Sequence, residues 1–279
     1  MRKLLMVLAV LASVVAATVS PAKAVTGNYQ EDFDHPYVVL IAFYSVDTGD
    51  FMWRCSGSLL NPTTVLTAGH CTDQSEGATY AIVWAEQDAG AAYDPVTDTP
   101  APSGYPYTCN PQAGPCSESS AIVEYGYGGA VYLQGDNKDV GLVFLQDPIE
   151  VSEYAQLPSP NFADTLSTGT PVTFSGYGVS SEPHVTSFRE RLEATGFLIN
   201  NHNKTTAGYN LLVSNNPGAG RGGTCFGDSG GPLLYDDTDI VLAVTSFGTN
   251  GNCAGTGYYY RVDQPDVLAW IAESIARYA

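Results

Sequence analysis

Gly222-Gly223-Thr224-Cys225-Phe226-Gly227-Asp228-Ser229-Gly230-Gly231-Pro232 is the stretch around which the chain is organised. Ser229 stands between an acid and two glycines, so no bulky side chain screens its hydroxyl from a reacting molecule. Small residues on either side also let backbone N–H groups converge on one point, as stabilisation of a developing oxyanion requires. A Ser hydroxyl is a weak nucleophile and needs a base that is itself oriented by a third group. The chain holds a His and an Asp in contexts that suit those roles.

His70 closes the strand-like run Leu66-Thr67-Ala68-Gly69-His70-Cys71. Its neighbours are small, and a disulfide at Cys71 would tie down the backbone that a general base needs held. Asp139 opens Asp139-Val140-Gly141-Leu142-Val143, an acid immediately before an apolar strand. A buried carboxylate there can accept the imidazole N–H and set its tautomer. Asp136 lies close by, but no apolar run follows it directly, which ranks it second.

The elements around these residues are short strands bounded by turn residues. Val38–Tyr44 is a β-rich run, Phe51-Met52-Trp53-Arg54 returns from a turn at residues 47–50, and Ser58-Leu59-Leu60 and Thr64–Thr67 form a second hairpin about Asn61-Pro62. Val140–Leu145 is apolar throughout, as a buried strand is. Leu157-Pro158-Ser159-Pro160 resembles a linker between halves. Runs at 171–174, 196–199, 210–213, 233–235 and 240–244 repeat the pattern. Many short strands with little helix indicate an all-β sandwich or barrel. One helix is expected at the C-terminus, capped by Asp263, with Pro265 in its first turn and Val267, Leu268, Trp270, Ile271 and Ile275 on one apolar face. Residues 85–120 carry six Pro between Pro95 and Pro115 and read as a long surface loop.

Arg2 and Lys3, the apolar run Leu4 to Ala17 and Ala22-Lys23-Ala24 read as a signal peptide over 1–24, the apolar run being shorter than the roughly 20 residues of a membrane span. The formal net charge is −18, and removal of that basic segment makes it more negative. Such a charge excludes nucleic acid and anionic membranes as partners. Six Cys in an exported chain imply three disulfides. None falls in a zinc-ligand spacing, so neither a metal nor a cofactor is expected. His35, His184 and His202 are expected at the surface or in loops, and Asn203-Lys204-Thr205 is a glycosylation sequon.

Cys55-Ser56-Gly57-Ser58-Leu59-Leu60, Leu66–Cys71, Asp139–Val143 and Gly227–Pro232, in the order His, Asp, Ser, resemble the trypsin/chymotrypsin family of serine endopeptidases over nearly the whole chain after residue 24. The resemblance implies two six-stranded antiparallel β-barrels with a C-terminal α-helix, the first over about 25–160 and the second over about 161–279. It makes Ser229 the nucleophile, His70 the base and then acid, and Asp139 the orienting carboxylate, with the N–H groups of Gly227 and Ser229 as oxyanion hole. It pairs Cys55 with Cys71 and Cys225 with Cys253, leaving Cys109 and Cys116, close enough to close a small ring. Partners would be protein or peptide substrates and protein protease inhibitors, and the protein a secreted monomer.

The same resemblance assigns substrate binding to Gly223, Ser246, Phe247, Gly248 and Gly257, with Phe247 where the family usually has Trp. Gly223, six residues before Ser229, replaces the Asp by which trypsin-like members hold Arg or Lys. Chymotrypsin-like cleavage after a large uncharged residue is therefore expected. The alternatives are a preference for Arg or Lys through an acid from elsewhere, and a non-catalytic binding protein of the same fold. Val25-Thr26-Gly27-Asn28 stands where the family has a new Ile or Val terminus, so signal cleavage is expected to free a Val25 amine that pairs with Asp228.

Overall fold

The computed structural model describes residues 25–89, 108–112, 114–129, 135–179, 190–216 and 218–279. The expected signal peptide, His184 and residues 90–107 of the Pro-rich loop lie outside them. Two short strands, β1 (Thr26–Gly27) and β2 (Tyr29–Glu31), precede β3 (Val38–Tyr44), whose seven apolar residues are all buried. A strand covered on both faces has no need of a polar alternation. It lies between β4 (Phe51–Asn61) and β6 (Tyr80–Trp84). With β5 (Thr64–Thr67), β7 (Cys116–Glu124) and β8 (Gly141–Leu145) they close the antiparallel barrel β3-β4-β5-β8-β7-β6. The β4–β5 turn is tight because the Asn61 carboxamide oxygen accepts the Thr63 N–H at 2.9 Å.

The second barrel uses β9 (Pro171–Gly176), β10 (Leu192–Asn200), β11 (Asn210–Ser214), β13 (Pro232–Tyr235), β14 (Val241–Gly248) and β15 (Thr256–Arg261). They follow the order β11-β15-β14-β13-β9-β10, and the β10–β11 pairing closes the ring. β12 (Gly222–Gly223) pairs with β1, and β2 with the start of β10. Residues 26–31, expected with the first barrel, thus pair with the second.

The C-terminal helix, Pro265–Tyr278, returns to the first barrel, where Val267 and Ile271 join the cluster of Leu40, Val65 and Phe144. Leu234, Val244 and Tyr260 of the second barrel share that cluster, which holds the two barrels together. Phe174, Leu211, Leu233 and Tyr259 fill the second. Each such burial contributes about 1.5–3 kcal/mol. Among the described residues no helix is long and apolar enough to cross a membrane.

Four expectations need correction. β4 is one strand through Cys55-Ser56-Gly57, not two, because its small buried residues face the second barrel rather than a turn. The loop ends before Cys116: β7 pairs with β6 and β8 despite its Ser and Glu residues. Asp263 is not the helix cap. It accepts the Ala163 N–H at 2.8 Å and pairs with Arg261 at 2.8 Å, while Gln264 occupies the capping position without a side-chain bond. His35 lies in the loop between β2 and β3 but not at the surface, being 6% exposed. The three disulfides are Cys55–Cys71, Cys109–Cys116 and Cys225–Cys253.

Candidate active site

β5 ends in a single helical turn, α1 (Gly69–Thr72), which carries His70. The Cys55–Cys71 disulfide and a hydrogen bond from the Trp53 indole to the Cys71 carbonyl, at 3.0 Å, fix that turn to β4. β8 begins against it at Gly141, where a Cβ would stand 2.2 Å from the Thr72 hydroxyl, so only glycine permits the approach. Asp139 therefore arrives beside His70. Its Oδ1 accepts the His70 backbone N–H at 2.7 Å, and the ring Nδ1 lies 3.1 and 3.0 Å from its two oxygens. The Ser246 hydroxyl donates to Oδ2.

Asp139 is 2% exposed, whereas the His70 side chain keeps 27% of its surface open to the cleft. Burial would raise the Asp139 pKa, but the charge and two hydrogen bonds of His70, with the Ser246 hydroxyl, hold it below its ordinary value. Burial would likewise lower the pKa of His70, and the carboxylate outweighs it, so the imidazole is raised. With Nδ1 committed to Asp139, Nε2 is the nitrogen left for a substrate or nucleophile.

The Ser229 turn is clamped from both barrels. On the first side, the Ser56 N–H donates to the Ser229 carbonyl at 2.8 Å and the Ser56 hydroxyl to the Gly227 carbonyl at 2.9 Å. On the second, the Gly230 N–H donates to Thr245 of β14 at 2.8 Å. Gly230 has φ 77° and a Cβ there would lie 2.0 Å from the Thr67 hydroxyl, so no other residue fits after Ser229. Among the described residues, the N–H groups of Gly227 and Ser229 have no backbone partner, while those of Asp228, Gly230 and Gly231 do.

Ser229, His70 and Asp139 line one cleft of about 520 Å³. Asp228, fully buried, turns away from it. Its carboxylate accepts the N–H groups of Gly178 at 2.7 Å and Cys225 at 2.8 Å. Burial nevertheless pushes its pKa up to about 7, against those bonds and the charge of Arg54. Val25 is also buried, in the second barrel's core, and leads directly into β1.

Of the expected substrate-binding residues, Ser246, Phe247 and Gly248 line the cleft, and Phe247 stacks on Tyr258 at 4.4 Å. Gly223 and Gly257 do not. Both pack against Asn215, which with Thr224 lines the cleft. Phe226, 57% exposed, lines it as well. Asn215, Thr224 and Phe226 escaped sequence reasoning. Thr224 and Phe226 adjoin the serine motif and could have been drawn from it, but Asn215 sits in no motif.

A second Ser–His–Asp set lies in the interior. His35 Nδ1 is 3.0 Å from Asp32 and 3.3 Å from Glu193, and the Ser175 hydroxyl donates to Asp32. Arg191 approaches the same carboxylate at 3.7 Å. Burial would lower the His35 pKa, but the two acids raise it to about 10. Asp32, His35 and Glu193 are close enough together to ligate a cation. With His35 protonated, however, two cations already balance two anions. The Ser175 hydroxyl is spent on the carboxylate, so this set ties the segment before β3 to β9 and β10.

A family model described as Trypsin matches residues 24–271. CLIP domain-containing serine protease B10 of Anopheles gambiae is 28% identical over 265 residues, 91% of this chain and 70% of that protein. Trypsin zeta of Drosophila erecta is 25% identical over 256 residues, 85% and 80% of the two chains. An HL collagenase structure matches with a TM-score of 0.66 at 20% identity, covering 90% of this chain and 98% of its own. The human heparin binding protein matches at 0.62 and 21% identity, covering 88% and 95%. These last two share the fold. With the family model spanning nearly the whole chain, the protein belongs to the trypsin family of serine-type endopeptidases.

Proposed function

We propose that the chain is a secreted endopeptidase in which Ser229 attacks the scissile carbonyl. His70 Nε2 takes the hydroxyl proton and returns it to the leaving amine, and water then repeats the sequence on the acyl-enzyme. Asp139 holds the tautomer and stabilises the imidazolium, and the Gly227 and Ser229 N–H groups receive the oxyanion. One observation carries this reading: the His70–Asp139 pair opens onto the cleft that Ser229 lines. The interior Ser175–His35–Asp32 set offers no nucleophile, since its hydroxyl donates to the carboxylate and its imidazole is enclosed.

Large uncharged residues are the proposed preference before the cleaved bond. Asp139 is the one acid among the described cleft-lining residues, and His70 and Ser246 consume it. A polyanion-binding role of the kind named for the heparin-binding neighbour meets a net charge of −18 and is disfavoured. We further propose that residues 25–279 form one protease domain, barrels meeting near 160. Residues 1–24 would be removed to free the Val25 amine for Asp228, whose burial asks for a cation.

Hydrolysis of peptides differing only at the residue before the bond, with Tyr, Phe, Leu, Arg, Lys, Ala or Glu there, tests the reading. Cleavage after Tyr, Phe or Leu that vanishes in Ser229→Ala is expected. Cleavage after Arg or Lys would overturn the preference, and none at all from folded protein starting at Val25 would overturn the activity.

A further inference from the structure

A Cβ on Gly223 would lie 2.5 Å from both Cα and Cβ of Asn215, and one on Gly257 would lie 2.8 Å from Asn215 Oδ1. The space that these two glycines leave is therefore not open pocket; Asn215 fills it. Asn215 follows β11 and is 4% exposed, and its backbone N–H donates to the Gly255 carbonyl at 2.9 Å. With its backbone held there, its carboxamide projects between the two glycines and forms part of the cleft wall.

The carboxamide is oriented by its neighbours. The Tyr259 hydroxyl donates to Oδ1 at 3.0 Å, and Nδ2 donates to the Thr224 carbonyl at 3.3 Å. Because the Tyr259 proton is used in this way, its oxygen accepts from the Thr224 hydroxyl at 2.9 Å. Tyr259 is fully buried and stacks on Phe174 at 5.5 Å, so the network has a rigid backing. Nδ2 carries two hydrogens and this network uses one.

We propose that Asn215 is the residue that sets specificity before the cleaved bond: its neutral carboxamide limits the pocket's depth and recognises an uncharged side chain with a polar tip, tyrosine above phenylalanine. The proposal rests on the serine endopeptidase reading of the cleft. A tyrosine hydroxyl reaching Asn215 meets a fixed N–H donor, whereas phenylalanine offers that donor no acceptor and forgoes about one hydrogen bond. A lysine or arginine finds no carboxylate there.

The test compares the wild type with Asn215→Asp and Asn215→Ala. Each is assayed on matched peptides bearing Tyr, Phe or Arg, and by calorimetric titration with p-cresol, toluene and benzamidine. The wild type is expected to favour Tyr over Phe in kcat/KM by roughly tenfold, one hydrogen bond's worth. Asn215→Ala brings that ratio near unity. Asn215→Asp raises the Arg-to-Tyr ratio by roughly 10- to 100-fold, as a charge-assisted bond would, and gains benzamidine binding. Unchanged ratios in either active variant overturn the proposal. The titrations do not need turnover: if no peptide is cleaved, the endopeptidase reading fails, while p-cresol binding that weakens in Asn215→Ala still supports the pocket. Binding indifferent to the substitution overturns it. Should Asn215→Asp not fold, Asn215→Ala alone decides.

Discussion

The Asp139 carboxylate holds His70 twice, accepting its backbone N–H at 2.7 Å and facing its ring Nδ1 at 3.0 Å. One bond places the residue and the other turns the ring, so a single buried side chain fixes both position and tautomer. Gly141 makes this possible by letting β8 begin against the turn that carries His70.

Asp139→Asn is expected to keep the fold and lower kcat by ~10⁴, because an amide can stabilise the wrong tautomer and cannot compensate an imidazolium. Peptide hydrolysis would show this with KM little changed. The acid limb of the pH–rate profile should also move. Asp139 raises the His70 pKa, so wild-type activity fails below a pH above the ordinary histidine value, and without the carboxylate that limb shifts lower.

Buried His35 supplies a separate pH signature. Its pKa rises from 6.5 to about 10 in the folded state, so its contribution to stability is complete below 6.5 and is lost as pH rises through about 10. Thermal unfolding followed from pH 6 to 10.5 should show a falling Tm over that window, and His35→Ala should flatten the fall. Removing His35 leaves Arg191 as the one cation facing two buried acids, Asp32 and Glu193, a loss of roughly 3–5 kcal/mol at neutral pH. An unchanged pH profile in the variant would remove His35 as its source.

The limits of sequence reading follow from the same clusters. β3 and β8 were legible because every residue in them is apolar, and the triad candidates because small residues flank them in a fixed order. The burial of His35 was not legible, since only its partner Asp32 is local, whereas Glu193, and the Ser175 and Arg191 that hold Asp32, come from β9, β10 and the residue before β10, set against β2 by strand pairing. Asp263 satisfied a local capping pattern, yet Arg261 and the distant Ala163 N–H claimed its carboxylate. Gly223 and Gly257 were expected to bind substrate, but Asn215, just past the end of β11, fills the space they leave.

Asp228 gives a test of activation. In the folded chain its pKa rises from 3.8 to about 7. Without a paired amine, the contribution of Asp228 to stability is complete below about 4 and is lost as pH rises through about 7. Protein starting at Val25 should escape that loss, since an ammonium beside the carboxylate favours its ionised form. Unfolding curves for the uncleaved and Val25-terminated forms between pH 4 and 8 should diverge, and N-terminal acetylation should restore the uncleaved profile. Coincident curves would remove Val25 as the partner.

The most direct test of the account is covalent labelling with a fluorophosphonate, with the modified residue located by peptide mass spectrometry. Labelling of Ser229 alone, abolished in Ser229→Ala and strongly slowed in His70→Ala, is the predicted result. Labelling at Ser175 or any other residue, or none of folded wild type beginning at Val25, would contradict it.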